Sequence, residues 1–192
     1  MKKIMFNDRY GLTQAVIEGR KTMTRRMISG SPLLPADHIE EARYFAGFIQ
    51  IVANDGETLL EVKSRYKVGE VVAVAQSYNE VVREFTSLAL VPGSTNKMFV
   101  KAELMPHQIR ITGIKCERLY DISEADCLKE GVRVEFVRND VPRYYYLDFK
   151  RQIKVWFDTP REAFASLIDK VSGYGTWQRI PWVVVYEFEL VK

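Results

Sequence analysis

The segment from Gly19 to Arg26 holds the residue types in this chain that could do chemistry. Four of its eight positions are basic, two are threonines, and none is acidic. A buried ammonium or guanidinium group needs a partner, because burying an unpaired charge is costly. The segment therefore lies either on a solvated face or along a site for something anionic or strongly polar.

The elements before this segment determine where it emerges. Residues 3–6 predict a short strand, and apolar side chains from Tyr10 to Ile17 recur near the helical period until Gly19 ends the pattern. The basic segment thus follows a predicted helix C-terminus, where the helix dipole favours positive charge.

The rest of the chain shows short apolar runs between turn and cap signals. Asn54-Asp55-Gly56 predicts a hairpin turn, and Ser123 and Thr159-Pro160 are typical of helix starts. The further predicted elements are hairpin strands 48–52 and 59–62, strands 71–75, 108–119 and 182–190, and helices 124–130 and 159–171.

This pattern indicates an α+β fold. Several short strands, few helices and no βαβ rhythm favour a small β-barrel flanked by a few helices, with inserted loops or a hairpin. Residues 28–42 and 83–97 are predicted to be irregular, and residues 132–158 fit no single element. With 192 residues, 47% of them hydrophobic, the chain can bury a sizeable core in one domain.

Composition limits the partners of this protein. A net charge of +3 permits a nucleic-acid partner without requiring one. Cys116 and Cys127, like His38 and His107, lack the spacing of a disulfide framework or a metal site, so we expect no metal and no cofactor. The N-terminus has no extended apolar stretch and no segment approaches a membrane span. We therefore expect a reducing, cytoplasmic setting and no membrane partner.

Motifs along most of the chain resemble those of the ASCH domain family, part of the PUA-like β-barrel superfamily. In chain order they are Glu18-Gly19-Arg20-Lys21-Thr22 with Thr24-Arg25-Arg26, Tyr66-Lys67-Val68-Gly69-Glu70 before a valine-rich strand, Arg118-Leu119-Tyr120-Asp121-Ile122-Ser123-Glu124-Ala125-Asp126 with Glu130-Gly131, and Gly173-Tyr174-Gly175-Thr176-Trp177 with Pro181-Trp182-Val183-Val184-Val185-Tyr186-Glu187-Phe188. The last motif resembles the longer form found in phages and mobile elements of bacteria. The resemblance implies one PUA-like domain over residues 1–192, with insertions at about 28–62 and 132–158 and a cleft that receives the basic segment.

The function that this resemblance implies first is the binding of RNA or a modified nucleotide in the basic cleft. The ligand-binding residues would be Arg20, Arg25, Arg26, Trp177 and Gln76. Gln76 stands where many members of the family place an acidic residue, which would alter the polarity of the site. Trp177 would stack a base, or the same side chain would anchor its loop in the core.

A second implication of the resemblance is an enzyme, an amidohydrolase that deacetylates acetylcytidine with a Lys/Thr/Glu triad. Lys21, Thr24 and Glu130 match the triad positions. A threonine hydroxyl is a weak nucleophile until a base removes its proton, and a lysine with a lowered pKa can be that base. The positive charges of Arg20, Arg25 and Arg26 would favour the neutral amine. Because alternate residues of a strand face opposite sides, a bulge or turn between Lys21 and Thr24 is required.

A third interpretation is an accessory protein of a phage or mobile element, whose partner is another protein. The inserted segments, with Tyr144-Tyr145-Tyr146, would form its contact surface. These tyrosines lie near Arg143 and Lys154 and also resemble an aromatic and basic nucleic-acid surface. In a strand, alternate tyrosines would simply pack inward, and we favour that structural role.

Overall fold

The computed structural model of the protein describes residues 1–28, 39–81 and 91–191. Its strands are, in chain order, β1 (Lys3–Ile4), β2 (Met23–Met27), β3 (Ile39–Phe45), β4 (Phe48–Ala53), β5 (Thr58–Lys63), β6 (Val71–Val74), β7 (Gln108–Arg118), β8 (Arg133–Val137), β9 (Val141–Asp148), β10 (Ile153–Phe157) and β11 (Trp182–Leu190). Its α-helices are α1 (Leu12–Ile17), α2 (Tyr78–Val81), α3 (Glu124–Lys129) and α4 (Pro160–Ser172).

A five-stranded sheet carries the basic segment at one edge. The strand order is β1-β6-β7-β11-β2, in which β1 and β6 run parallel and the other neighbours antiparallel. The valines of β11, Val183 to Val185, are buried on both faces of the sheet, as expected for an internal strand. β2 pairs with β11 so that Thr24 lies opposite Tyr186.

Two three-stranded antiparallel sheets, β3-β4-β5 and β10-β9-β8, are built from the segments predicted to be insertions. The predicted hairpin around Asn54-Asp55-Gly56 is confirmed, since β4 and β5 pair across it. The prediction of irregular structure at residues 28–42 is wrong for residues 39–42, because β3 begins at Ile39. Residues 29–38 lie outside the described residues. In β3 the register shifts between Ile39 and Glu41, and pairing with β4 holds a strand whose own alternation is weak.

The helix caps that the sequence predicts at the starts of α3 and α4 are confirmed. The Ser123 side chain accepts a hydrogen bond from the Asp126 amide at the start of α3. Thr159 and Glu162 form a capping box at the start of α4, with Pro160 in the first turn. The predicted loop at 83–97 falls partly on residues 82–90, which lie outside the described residues.

The fold is mixed α+β, and one core joins its sheets. A single cluster of buried apolar side chains draws on all three sheets and on α1, α3 and α4. The expected barrel is not found: within residues 1–28, 39–81 and 91–191 the strands form three sheets and no closed barrel. None of the helices in these residues is long and apolar enough to cross a membrane.

Candidate functional site

A pocket of about 570 Å³ lies between the edge strand β2, the residues that follow β1, helix α4 and the chain after β5. Such a volume falls in the range of about 300–1,000 Å³ that is usual for small-molecule sites. Its walls include Phe6 and Phe164, which supply apolar surface. Its charged lining residues are Lys21, Arg25, Arg26, Lys63, Arg65 and Glu130.

The turn that ends α1 directs Lys21 into this pocket. Gly19 adopts a positive φ of 72°. Its amide donates to the Val16 carbonyl, while the Arg20 amide donates to Ala15, which is the Schellman arrangement. The Lys21 amide also donates to Ala15. Lys21 therefore precedes β2, and the alternation of strand faces does not separate it from Thr24.

Strand β2 presents Thr24 and Arg26 on one face toward the pocket. Thr24 is only 4% exposed. Among the described residues, the hydrogen bonds include none made by the Thr24 hydroxyl, to the amine of Lys21 or to any other group. Hydrogen bonds of catalytic groups often tighten only when substrate is present.

Glu130 reaches the pocket from the C-terminal end of α3. The Thr22 amide donates to the Lys129 carbonyl at 3.0 Å and ties this end to the turn before β2. The Lys21 ammonium donates to the Glu130 carboxylate at 2.6 Å and to its main-chain carbonyl at 2.7 Å. Gly131 has φ 108°, and a Cβ on it would lie 2.9 Å from Leu12 Cδ2. Glycine adopts this φ without strain and leaves room for the Leu12 side chain.

Arg25 is buried in the pocket wall within a network of carboxylates. Its Nη1 contacts the second oxygen of Glu130 at 3.1 Å. Its Nε and Nη2 donate to one oxygen of Glu117 at 2.8 and 2.6 Å, and Nη2 reaches Asp126 at 3.3 Å. Despite the opposing effect of burial, the carboxylates of Glu130 and Glu117 raise the pKa of Arg25. Arg25 therefore holds Glu130 in place rather than offering a free cation to a ligand.

Burial lowers the pKa of Lys21 below that of an ordinary lysine. Glu130 opposes this shift because it stabilises the ammonium form. The positive charges of Arg26 and Arg25 add to the lowering, as expected from the sequence for these two arginines. Arg20 does not take part: it forms an ion pair with Glu18 at 2.5 Å, outside the pocket.

The mouth of the pocket carries cations of a different kind. Arg26, Lys63 and Arg65 are exposed, and the described residues place no carboxylate within ion-pair distance of them. Arg26 donates to the Met5 carbonyl at 2.6 Å. Although solvent reaches Arg26, the surrounding pocket walls remove part of its hydration and lower its pKa. Tyr66 and Glu130 oppose this shift, and Arg65 adds to it.

Comparison of the chain with protein-family profiles, with curated proteins and with solved structures found no match. Within the described residues no group of three or more His, Cys, Asp or Glu side chains is placed to hold a metal ion.

Two further residues predicted to bind ligand lie away from the pocket. Gln76 is buried, and its side-chain oxygen contacts His107 Nδ1 at 2.7 Å. Trp177 packs against Phe164 and Tyr120, with ring centroids 6.1 and 5.3 Å apart, and this packing is the anchoring role considered for it.

The tyrosine patch is part of the β10-β9-β8 sheet. Tyr146 is buried in the core, whereas Tyr145 faces the other side and packs against Trp156. The alternation predicted for strand tyrosines is therefore confirmed.

Sequence reasoning missed two groups of charged residues that shape the site. Glu117 and Asp126 complete the network around Arg25. Asp126 and Glu130, four residues apart along α3 and its C-cap, lie on one helix face, and two carboxylates so placed indicate a shared basic partner. Lys63 ends the β4-β5 hairpin and Arg65 lies two residues further on, and no local pattern indicates that they reach the pocket.

Proposed function

We propose that this pocket hydrolyses the exocyclic amide of an acylated nucleobase such as that of acetylcytidine. The supporting observation is the 2.6 Å contact of Lys21 with Glu130 on the wall that also presents Thr24, although 109 positions separate the first two. The ASCH and PUA-like resemblance of the motifs supports the same assignment. A cytoplasmic setting, where nucleosides and free cysteines are found, belongs to the proposal.

In the proposed reaction, neutral Lys21 takes the proton of the Thr24 hydroxyl as the oxygen attacks the amide carbonyl carbon. The ammonium then returns that proton to the departing amine, leaving an acyl group on Thr24. Water, deprotonated by Lys21, attacks this ester and releases acetate and the free hydroxyl. Glu130 holds Lys21 in position throughout.

The environment of Lys21 supports this role because burial favours the neutral amine that a base requires. Arg25 supports it indirectly, since it fixes one oxygen of Glu130 and leaves the other for Lys21. The apolar wall, which includes Phe6, suits the ring of a base.

The test is incubation of the purified protein with acetylcytidine, with cytidine release followed by chromatography. Thr24→Val should abolish turnover while leaving substrate binding largely intact, and Lys21→Ala should slow turnover by about 10²–10⁴-fold. Thr22→Val is the matched control, because Thr22 lies two residues earlier and outside the pocket. Turnover that survives in Thr24→Val would contradict the proposal.

A second candidate is binding of RNA or a modified nucleotide without turnover. The observation in its favour is the same ion pair: the Glu130 carboxylate favours the charged form of Lys21, and an ammonium group cannot take a proton. If acetylcytidine is not hydrolysed, RNA titration at increasing salt tests this candidate. Affinity should fall as salt rises, and Lys21→Ala should weaken it.

A further inference from the structure

The mouth of the pocket gathers three cations from two separate parts of the chain. Arg26 extends from β2, while Lys63 is the last residue of β5 and Arg65 follows it. All three line the pocket and are exposed. Among the described lining residues the only carboxylate is that of Glu130, which already contacts Lys21 and Arg25.

The cations at the mouth act on one another electrostatically. Burial has the largest effect on the pKa of Arg26 and lowers it. Tyr66 and Glu130 oppose this shift, while the positive charge of Arg65 adds to it, as that of Arg26 does for Lys21. Grouped like charges repel, and an anion placed among them removes that cost. The chain thus places three positive groups where a ligand can reach them, and the one carboxylate among the described lining residues, that of Glu130, is already held by Lys21 and Arg25.

We propose that the pocket mouth binds the phosphate group of a nucleotide through Arg26, Lys63 and Arg65. The substrate of the proposed reaction is therefore a phosphorylated nucleoside rather than a free nucleoside. This inference rests on the proposed function, in that the base occupies the inner part of the pocket.

The spacing along β2 fits such a ligand. Thr24 and Arg26 share one strand face two residues apart, so their Cα atoms are separated by about 7 Å. A base whose amide lies at Thr24 would direct its sugar toward the mouth, where long arginine and lysine side chains extend further. Guanidinium groups match phosphate oxygens in a bidentate fork, and a lysine adds a point charge.

The β4-β5 hairpin positions two of the three cations, since Lys63 ends β5 and Arg65 lies two residues further on. Ser64, between them, is buried and donates to the Tyr66 carbonyl at 2.8 Å, so this stretch is held against the core. The Tyr66 hydroxyl in turn donates to the Lys3 carbonyl at 3.0 Å.

The test measures binding, by calorimetry, of cytidine and of cytidine 5′-monophosphate to the whole chain. The readout is the ratio of the two dissociation constants. In the native protein the phosphate should tighten binding about tenfold or more, since one charge-assisted contact is worth that factor. Lys63→Gln and Arg65→Gln should each reduce the ratio several-fold, and the double variant should bring it close to one.

Lys67→Gln is the matched control. It removes the same charge two residues beyond Arg65, from an exposed side chain outside the pocket, and should keep the native ratio. Raising the ionic strength should shrink the native ratio, because exposed charges are screened. A native ratio near one, or a ratio kept in the double variant, would overturn the inference.

The same experiment separates this inference from the proposed function. A phosphate preference that depends on Lys63 and Arg65, in a protein that hydrolyses no acylated nucleotide, would refute the hydrolase and leave the phosphate site standing. A short oligoribonucleotide with an internal cytidine identifies the source of the phosphate. Tighter binding than the mononucleotide assigns it to RNA, and weaker binding assigns it to a free nucleotide.

Discussion

The inner end of the pocket and its mouth both carry positive charge, but they hold it differently. Inside, Lys21 and Arg25 are buried and share the carboxylate of Glu130 at 2.6 and 3.1 Å. At the mouth, Arg26 and Arg65 are exposed, and the described residues offer them no carboxylate. Charge that is paired and buried positions groups, whereas charge that is unpaired and exposed is available to a ligand.

This contrast separates the roles of four basic residues that are almost adjacent in sequence. Arg20 lies on the outside with Glu18, Lys21 and Arg25 are enclosed, and Arg26 opens to the pocket. The solvated face and the polar site, the two alternatives for the segment, therefore both occur within it. Four predictions test how far the difference between the two ends of the pocket extends.

The largest effect is expected for Glu130→Gln, which removes the negative charge shared at the inner end. Breaking one partner of a buried ion pair costs about 3–5 kcal/mol, because the remaining charge stays buried without compensation. Denaturant unfolding measures this loss in the free energy of unfolding. Glu124→Gln, at the exposed start of the same helix, is the control and should cost less than about 1 kcal/mol. Equal losses in the two variants would contradict a stabilising role of the buried ion pair at Glu130.

The next effect concerns the glycine that lets α3 approach Lys21. Gly131→Ala must accept a φ of 108° and place its Cβ 2.9 Å from Leu12. Gly47→Ala has a similar φ of 92°, but its Cβ would meet only Lys67, at 3.9 Å. Strain alone costs about 1–3 kcal/mol at either site. The Gly131 variant should lose a further 1–3 kcal/mol or so through overpacking.

Comparison of the unfolding free energies of these two variants isolates the close approach at the inner end. A smaller loss at Gly131 than at Gly47 would mean that Leu12 yields freely. In that case the contact between the α3 end and Lys21 would not depend on tight packing.

The third prediction is a pH dependence of hydrolysis. Only neutral Lys21 can take the Thr24 proton, so kcat/KM should rise about tenfold per pH unit below the pKa of Lys21 and then level off. Burial lowers that pKa, so the plateau should begin below the pH at which an exposed lysine would titrate. Because Glu130 raises the pKa of Lys21, Glu130→Gln should move the rise to lower pH. A profile that falls with increasing pH would contradict the role of Lys21.

How much of this site the sequence could predict depends on the distance over which each signal acts. The helix end at Gly19 and the cap at Ser123 are local patterns, and both are confirmed. The partners of Arg25 are not local, since 92 residues separate it from Glu117. Such a pair forms only after β2, β11 and β7 have assembled side by side.

The fold shows the same division. The hairpin at Asn54-Asp55-Gly56 is confirmed because two flanking apolar runs and a turn sequence suffice to specify it. The strand from Ile39 was missed, since its alternation is weak and its place is set by pairing with β4. The barrel expected from the short strands did not form, because the strands assemble into three separate sheets. The pattern of a single strand does not determine which strands it pairs with.

The smallest effect is expected at the mouth, where Arg65→Gln should change the free energy of unfolding by less than about 0.5 kcal/mol. Arg65 is exposed, and its charge repels that of Arg26, so its removal relieves repulsion as well as losing surface contacts. Denaturant unfolding in low salt is the measurement, because screening would hide the repulsion. A loss above 1 kcal/mol would show that Arg65 supports the fold, and the mouth would then resemble the inner end. An unchanged or slightly higher stability, together with weaker binding of cytidine 5′-monophosphate, would show that the chain maintains this charge for a ligand.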